Sequence, residues 1–296
     1  MFPVRRNYPS MNKRTGQVAA GTAFARHGTM EVRLARNLLD IRRAEHLRYK
    51  IFFEEMSAIP SRMARLTRRD EDEFDKICDH LMVFEHATSG NQFSRLPWGR
   101  KSRVVGTYRL LRQDMAEEFS GFYSQDEFDL APLIERHGPE TKFLEVGRSC
   151  VMKEFRTKST IELLWQGIWS YVNRHNLDVM VGCASLTGTD PDKLSEQLSF
   201  LHHFGKPPPQ WRASAHAHHR VDMNMIPKDK INPRQVLRTL PPQIKGYLRA
   251  GAYIGDGAVV DHQFGTTDVL IILPVADIKA RYANHYRHKD KLANAN

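Results

Sequence analysis

Residues 143–184 have the sequence FLEVGRSCVMKEFRTKSTIELLWQGIWSYVNRHNLDVMVGCA, and this stretch decides the fold. Two runs in it, Phe143–Met152 and Val179–Ala184, are apolar and have the length of strands. Between them, apolar residues from Ile161 to Val172 follow the i, i+3, i+4, i+7, i+8, i+11 spacing of an amphipathic helix that begins at Thr160. A strand, a helix and a strand in succession predict a parallel βαβ unit with a right-handed crossover. We therefore expect a fold of the α/β class.

Shorter patterns on either side extend this unit into one domain. Asp40 predicts the N-cap of a helix that ends near Met56, and Gly, Pro and Asn residues between Ser89 and Ser102 predict a hairpin loop. No stretch has the composition of an interdomain linker. We expect a basic flexible arm (residues 1–29), a single domain (residues 30–285) and a polar tail (residues 286–296). The further predicted strands are Met30–Ala35, Leu81–Phe84, Val104–Leu111, Tyr253–Val260 and Val269–Leu273.

Composition and charge limit the classes of function. The chain has 296 residues, 41% of them hydrophobic and 26% charged, which is a globular composition. The longest strongly apolar run, Val269–Ala276, is much shorter than the ~20 residues of a membrane-spanning helix, so we do not expect an integral membrane protein. The net charge is +10, and residues 1–29 contain five cations and no acid. This charge favours a polyanionic partner: nucleic acid, an anionic lipid surface or an acidic protein.

The cysteines and the N-terminus indicate the compartment. Cys78, Cys150 and Cys183 are far apart in apolar surroundings, which predicts free thiols in a reducing compartment. The basic N-terminus lacks the continuous apolar core of a signal peptide, although its arginine-rich character is compatible with an organellar transit peptide. We expect a cytoplasmic protein that contacts the anionic inner face of the cytoplasmic membrane through its basic arm.

Four polar elements occur in a fixed order along the chain. They are Arg48 with Phe52, the acidic residues Asp70, Asp72 and Asp75, the strand VVGTYRLL (residues 104–111) and the motif EVGR (residues 145–148). This order resembles the acyl-homoserine lactone synthases, members of the GNAT acyltransferase superfamily that take acyl groups from acyl carrier protein. The tryptophan that those enzymes carry between the Arg/Phe pair and the acidic residues is missing here, and the spacing is longer.

Three further segments resemble the ornithine–acyl carrier protein N-acyltransferase family, which makes lyso-ornithine lipid in bacteria. They are LLWQGIW (residues 163–169), IKGYLR (residues 244–249) and FGTTDV (residues 264–269). This resemblance covers about residues 30–285, whereas the first covers only two thirds of the chain. It implies a GNAT-type mixed, twisted sheet flanked by helices, with a C-terminal extension. It also implies transfer of a 3-hydroxyacyl group from acyl carrier protein to the α-amine of L-ornithine, with no metal or redox cofactor.

The acidic residues and nearby arginines form the predicted acceptor site. By charge pattern alone, the three aspartates would be a solvated charged segment. The resemblance instead implies that they bind the ammonium groups of the amino-acid substrate. Arg109 and Arg148 are expected to pair either with these acids or with the substrate carboxylate. The predicted substrate-binding residues are Arg48, Phe52, Asp70, Asp72, Asp75, Arg109 and Arg148.

Glu145 is the candidate catalytic base. Glu145 and Arg148 differ by an odd number of positions, so they point to opposite faces of a strand unless a β-bulge intervenes. The resemblance implies such a bulge, whose main-chain N–H groups bind the thioester carbonyl. A carboxylate beside the bulge would accept the proton of the attacking amine, directly or through water.

The turn FRTKST (residues 155–160) corresponds by resemblance to the GNAT loop that cradles the diphosphate of coenzyme A. Helix N-termini present unpaired N–H groups and a positive dipole end to such anions. Arg156 matches the first position of that loop, but both glycines are absent, which suits the single phosphodiester of a carrier-protein donor. The alternative is an ordinary capped helix start. The predicted donor-binding residues are Cys150, Val151, Arg156, Thr157, Lys158, Ser159 and Thr160.

Two other functions stay open on the sequence. An S-adenosylmethionine-dependent lactone synthase shares several motifs, although the missing tryptophan and the long C-terminal segment argue against it. A nucleic-acid-binding protein would account for the charge, but half of the excess lies in residues 1–29 and the core has no recognition motif. Five histidines lack the spacing of a metal site, so no metal is predicted. These histidines are His202, His203, His216, His218 and His219.

Overall fold

The computed structural model describes residues 22–87 and 102–278. Within these residues eleven strands form one mixed sheet, with helices on both faces. The strands are β1 (Ala25–His27), β2 (Met30–Leu34), β3 (Asp79–His86), β4 (Ser102–Arg112), β5 (Phe128–Asp129), β6 (Phe143–Val151), β7 (Val179–Thr187), β8 (Ser214–Ala215), β9 (Arg220–Val221), β10 (Tyr253–Asp261) and β11 (Thr266–Pro274). The helices are α1 (Leu38–Tyr49), α2 (Arg62–Thr67), α3 (Gln113–Glu117), α4 (Ala131–His137), α5 (Lys158–His175), α6 (Ser195–Phe204), α7 (Pro233–Thr239) and α8 (Pro242–Ala250).

The order of the strands confirms the predicted α/β architecture. Along the sheet the order is β1-β2-β3-β4-β6-β7-β11-β10-β8-β5, with β9 paired to β10. β6 and β7 are parallel neighbours, and α5 connects them as the predicted βαβ unit. The C-terminal segment adds β11 antiparallel to β7 and β10 antiparallel to β11. The predicted C-terminal extension therefore completes the sheet.

Helix α5 begins and packs where its sequence dictates. It starts at Lys158, two residues before the predicted Thr160, because the Thr157 hydroxyl accepts a hydrogen bond from the Thr160 N–H at 3.3 Å. Gly167 faces the sheet, and a Cβ atom there would lie 2.8 Å from Cγ2 of Val32. A glycine in the middle of the helix thus lets α5 lie close to β2 and β3.

Helix α1 differs from the prediction at its start. Its N-cap is Asn37, whose side chain accepts from the Asp40 N–H, rather than Asp40 itself. The Asp40 carboxylate instead accepts a hydrogen bond from Arg33 at 2.8 Å. The helix continues as a π-helical segment over Lys50–Glu55. No helix in residues 22–87 and 102–278 is long and apolar enough to span a membrane.

The sheet begins five residues before the predicted domain. Ala25–His27 lies within the predicted flexible arm, but it pairs with residues 30–32 as β1, and Phe24 is buried in the core. Arg26, one of the five cations of the arm, pairs with Glu31 at 2.9 Å. Residues 1–21, 88–101 and 279–296 lie outside the described residues. Most of the predicted arm, the predicted loop and the polar tail fall there.

Candidate active site

A cavity opens where β6 and β7 separate. The two strands pair from Phe143 and Val179 only as far as Glu145 and Val181. Beyond that point the space between them is a cavity of about 120 Å³. Residues of β4, β6, β7 and β11 line it, together with the 3-10 turn that begins at Tyr123 and the aromatic rings of Phe52 and Phe264.

β6 contains the predicted bulge at the wall of this cavity. Thr107 of β4 pairs with Cys150, and Arg109 pairs with Gly147, so two residues of β6 face the single Tyr108. Arg148, inside the bulge, has φ of +49°, a conformation that is uncommon for a residue with a side chain. The bulge makes residues 147–149 part of the cavity wall.

Arg48 holds two of the three predicted aspartates. Its Nε lies 2.8 Å from Oδ2 of Asp70, and its two terminal nitrogens lie 2.8 and 2.7 Å from the two carboxylate oxygens of Asp75. Burial alone would raise the pKa of Asp75, but the charges of Arg48 and Arg109 outweigh it and hold that pKa well below its usual value. All three residues are buried, and none of them lines the cavity. In this geometry the carboxylates of Asp70 and Asp75 are paired with an arginine and do not face the cavity.

Asp72 connects two further arginines that do line the cavity. Nη1 of Arg109 lies 2.6 Å from each oxygen of the Asp72 carboxylate, and Nη2 of Arg148 lies 3.1 Å from one of them. The guanidinium carbon of Arg148 lies 4.9 Å from the ring centres of both Tyr123 and Phe264. Arg109 and Arg148 were each predicted to pair with the aspartates or with the substrate carboxylate, and in the structure both pair with an aspartate.

Glu145 lies in the cavity wall and is held firmly. Its carboxylate accepts hydrogen bonds from the N–H groups of Tyr123 (2.7 Å) and Ser124 (2.8 Å), and from the Ser124 hydroxyl. Burial raises the pKa of Glu145, and these hydrogen bonds oppose the shift. The carboxylate is therefore held in a defined orientation against the turn that begins at Tyr123, and its proton affinity is above that of an exposed glutamate.

The predicted donor turn is only partly exposed. Nη1 of Arg156 lies 2.5 Å from Glu55, and its Nε donates to the Val151 carbonyl. Thr160 is fully buried and its N–H is capped by Thr157, so the capped helix start describes these two residues correctly. Thr160 is thus unsuited to donor binding. Lys158 is 90% exposed in its side chain, Thr157 is exposed, and Ser159 is half-buried.

Cys150 and Val151 lie beneath the surface. Cys150 packs in a small apolar cluster with Leu47, Ile51 and Phe52. Burial raises the pKa of the Cys150 thiol to about 12. Neither Cys150 nor Val151 lines the cavity at the bulge, so their side chains serve the packing of β6.

A second acidic group, which the sequence did not reveal, lies in the cavity wall. It consists of Glu127, Asp261 and Asp268. One carboxylate oxygen from each lies within 4.8 Å of the others. Burial, followed by the charge of Asp268, raises the pKa of Glu127 to about 7, and burial raises that of Asp268 to about 6. Carboxylates this close together favour a bound cation. The one available signal was a polar residue, Asp268, at the start of the apolar run of β11.

Comparison with known proteins identifies the family. Residues 47–166 match the acetyltransferase (GNAT) domain family. The chain is 47% identical over 263 residues to an L-ornithine N(alpha)-acyltransferase of Agrobacterium fabrum. The aligned region covers 89% of this chain and 87% of the relative. It is 48% identical over 263 residues to an L-ornithine N(alpha)-acyltransferase of Brucella abortus, covering 89% and 90%. The solved structure of an N-acyl amino acid synthase from uncultured soil microbes has a TM-score of 0.45 at 10% identity, over 90% of this chain and 97% of that one. The chain is therefore an acyltransferase with a GNAT domain and belongs to the family of L-ornithine N(alpha)-acyltransferases.

Proposed function

We propose that this acyltransferase moves a fatty acyl group, in particular a 3-hydroxyacyl group, from acyl carrier protein to the α-amine of L-ornithine and so makes lyso-ornithine lipid. The observation that carries the choice of acceptor is the identity of 47% and 48% to relatives named for L-ornithine. The cavity beside the bulge supports it, because four carboxylates among its lining residues favour a cationic amino acid. These are Glu127, Glu145, Asp261 and Asp268.

The reaction is aminolysis of a thioester. The neutral α-amine attacks the carbonyl carbon, the C–N bond forms, the C–S bond breaks, and the proton that the amine loses ends on the pantetheine sulfur. Glu145 is the proposed base, acting directly or through water, since its carboxylate lies in the cavity wall and its pKa is raised by burial. Beyond Glu145, β6 has no strand partner in β7. Main-chain N–H groups on that edge would stabilise the developing oxyanion.

Arg109 and Arg148 are the proposed partners of the ornithine carboxylate. Both line the cavity, and the Nε of Arg148 is buried without a hydrogen bond, although Asp70 lies 3.4 Å from it. A planar guanidinium suits a carboxylate. In this arrangement Asp72 orients the two arginines towards the substrate.

The exposed part of the donor turn is the proposed docking point for acyl carrier protein. Lys158 begins α5, and the N-terminus of a helix favours anions. The phosphodiester of the carrier's pantetheine arm would lie against the exposed Lys158 and the half-buried Ser159.

An anionic membrane surface is the proposed site of product release, on the inner face of the cytoplasmic membrane. α2 has no buried residue; Met63 is 64% and Leu66 is 80% exposed, and Arg62 and Arg65 are exposed beside them. Met56, just before this helix, lines the cavity. A surface of this composition suits the boundary between lipid headgroups and acyl chains.

The function is tested by incubating the purified protein with acyl-acyl carrier protein and L-ornithine, then measuring free thiol and the mass of the product. We expect one thiol per N-acylornithine. Acyl-coenzyme A as donor and S-adenosylmethionine as acceptor serve as comparison reactions. Production of an acyl lactone from S-adenosylmethionine, with no acylornithine, would contradict the proposal and favour the lactone synthase alternative.

A further inference from the structure

We propose that Glu127, Asp261 and Asp268 form the subsite that binds the side-chain ammonium of ornithine. The inference rests on the proposed function, because it takes ornithine as the acceptor. It assigns recognition of the side chain to the end of β10, the first part of β11 and the residue before β5, and not to Asp70, Asp72 and Asp75.

Three separate segments bring these carboxylates together. Asp268 lies opposite Ser185 of β7 in the antiparallel pairing of β11 with β7. Asp261 ends β10, where its carboxylate accepts hydrogen bonds from the N–H groups of Gln263 (2.8 Å) and Phe264 (2.9 Å). The Glu127 carboxylate accepts a hydrogen bond from the Cys183 thiol at 3.3 Å. All three acids line the same cavity as Glu145.

In the part of the chain that the structure describes, no lysine or arginine forms an ion pair with this group. Among residues 22–87 and 102–278, no lysine or arginine nitrogen lies within 4.0 Å of the three carboxylates. The positive charge of Arg148 lowers the pKa of Asp268, but the guanidinium of Arg148 pairs with Asp70 and Asp72. The contrast with the first acidic group is sharp, because there each aspartate pairs with arginine. Unpaired carboxylates in a partly buried cavity are costly unless a cation joins them.

A buried hydroxyl in the same wall, on a residue outside the acidic group, points independently to a ligand. Thr266 is 3% exposed, and its hydroxyl makes no hydrogen bond of good geometry to any described residue, although it lies near enough to Asp268 to lower the pKa of that carboxyl. Oδ1 of Asp268, a residue 8% exposed, likewise has no hydrogen bond of good geometry, although the nearby hydroxyls of Ser185 and Thr266 lower the pKa of this carboxyl. Both residues line the cavity, and they are two apart on β11, so they face the same side of the strand. Buried polar atoms are almost always hydrogen-bonded, and an ammonium offers three donors to such acceptors.

The chemistry of the group fits an organic ammonium. A primary ammonium at the end of a short aliphatic chain can donate to Asp268, Glu127 and the Thr266 hydroxyl at once. A site built to bind a charged group discriminates strongly against an analogue that lacks it, because its own buried groups are then left unpaired. The subsite would therefore select ornithine over α-amino acids with an apolar side chain of similar length.

The test compares ornithine with norvaline, which has an aliphatic side chain and no side-chain amine. For the wild-type protein we expect kcat/KM to favour ornithine strongly. In Asp268→Asn and, separately, in Glu127→Gln, kcat/KM for ornithine should fall about 10- to 100-fold while that for norvaline stays within about threefold. Asp229→Asn, at an exposed acid outside the cavity, is the matched control. Calorimetric binding of each amino acid and thermal unfolding of each variant accompany the kinetics.

The possible outcomes separate the two proposals. Wild-type protein that acylates neither amine overturns the proposed function. Wild-type protein that acylates ornithine, with variants that lose activity equally towards both amines or that keep the wild-type ratio, overturns the subsite alone. Ornithine binding that is lost after dialysis against a chelator and restored by a divalent metal assigns the three carboxylates to a metal ion, and this result also overturns the subsite.

Discussion

Gly182 lies so close to Val146 that a Cβ atom on the glycine would stand 2.2 Å from the valine carbonyl oxygen. This contact marks the place where β6 and β7 stop pairing and the cavity begins. The separation of the strands exposes the main-chain edge of β6 beside Glu145. A side chain at position 182 would push the two strands apart at this point and shift Glu145 relative to the bulge.

Gly182→Ala is therefore expected to destabilise the protein by at least ~2 kcal/mol, because backbone and not a flexible side chain meets the new methyl group. Chemical denaturation measures the change. Gly246→Ala is the matched control: Gly246 lies inside α8, and a Cβ there meets nothing within 4 Å. That control should gain about 0.5–1 kcal/mol. Equal stability of Gly182→Ala and wild type would contradict the role of this contact.

The Arg48–Asp75 pair predicts a stability effect and not a substrate effect. Asp75→Asn removes one charge from a buried bidentate pair, so unfolding should require about 3–5 kcal/mol less. The KM values for ornithine and for the acyl donor should change by similar factors in the protein that remains folded. Arg48→Met combined with Asp75→Asn should cost less than the sum of the single changes. A rise in the KM for ornithine alone would contradict this prediction and indicate that Asp75 contributes to substrate binding.

Glu145→Gln tests the proposed base and should lower kcat by about 10²–10⁴. The amide also places an NH₂ group against main-chain donors, so thermal unfolding must be measured alongside. Ser124→Ala is the sharper variant, because it removes one hydrogen bond that favours the charged carboxylate. The pKa of Glu145 should rise, and the acidic limb of the kcat/KM profile should move to higher pH. Full activity of Glu145→Gln at neutral pH would exclude Glu145 from proton transfer.

The parts of the fold with strong periodicity could be predicted from the sequence. The apolar spacing of residues 161–172 and the flanking apolar runs fixed β6, α5 and β7. Which of two suitable residues would cap the N-terminus of a helix was harder to predict. Asn37 and Asp40 are both good N-caps, and Asn37 has that role because Arg33, on a neighbouring strand, takes the Asp40 carboxylate. The bulge followed from family resemblance and not from residue spacing.

The site shows a similar limit. The sequence placed Arg109 and Arg148 near acids, but it could not show that arginine already satisfies Asp70 and Asp75. Glu127, Asp261 and Asp268 come from distant segments, and the strand order β7-β11-β10 brings two of them together. No spacing along the chain encodes that proximity, because it depends on long-range pairing of strands.

Glu127 predicts a particular dependence of stability on pH. Its pKa is about 7 in the folded protein against 4.5 in the unfolded chain, because of burial and the nearby charges of Asp268, Asp261 and Asp126, opposed by the Cys183 hydrogen bond. Between these values the folded state binds more protons, so this group's contribution to the free energy of unfolding decreases as pH rises from ~4.5 to ~7. In Glu127→Gln that decrease should be smaller. Urea unfolding from pH 5 to 8, with Asp229→Asn as control, measures it; parallel curves for variant and wild type would refute the shift.

The proposed membrane contact predicts a role for the exposed face of α2. Met63→Gln with Leu66→Gln should weaken binding to anionic vesicles at least ~10-fold, since each side chain loses its gain from apolar burial. Leu237→Gln, a change at another exposed leucine, should have little effect. Deletion of residues 1–21, which carry Arg5, Arg6, Lys13 and Arg14, should instead reduce the salt dependence, because each cation near an anionic surface contributes ~1 kcal/mol. The deletion must end before Phe24 and β1, which belong to the core and the sheet. Co-sedimentation with vesicles at low and high salt distinguishes the apolar contribution of α2 from the charge contribution of residues 1–21.

If the Met63→Gln, Leu66→Gln double variant and the wild type sediment equally with anionic vesicles, α2 does not contact the membrane.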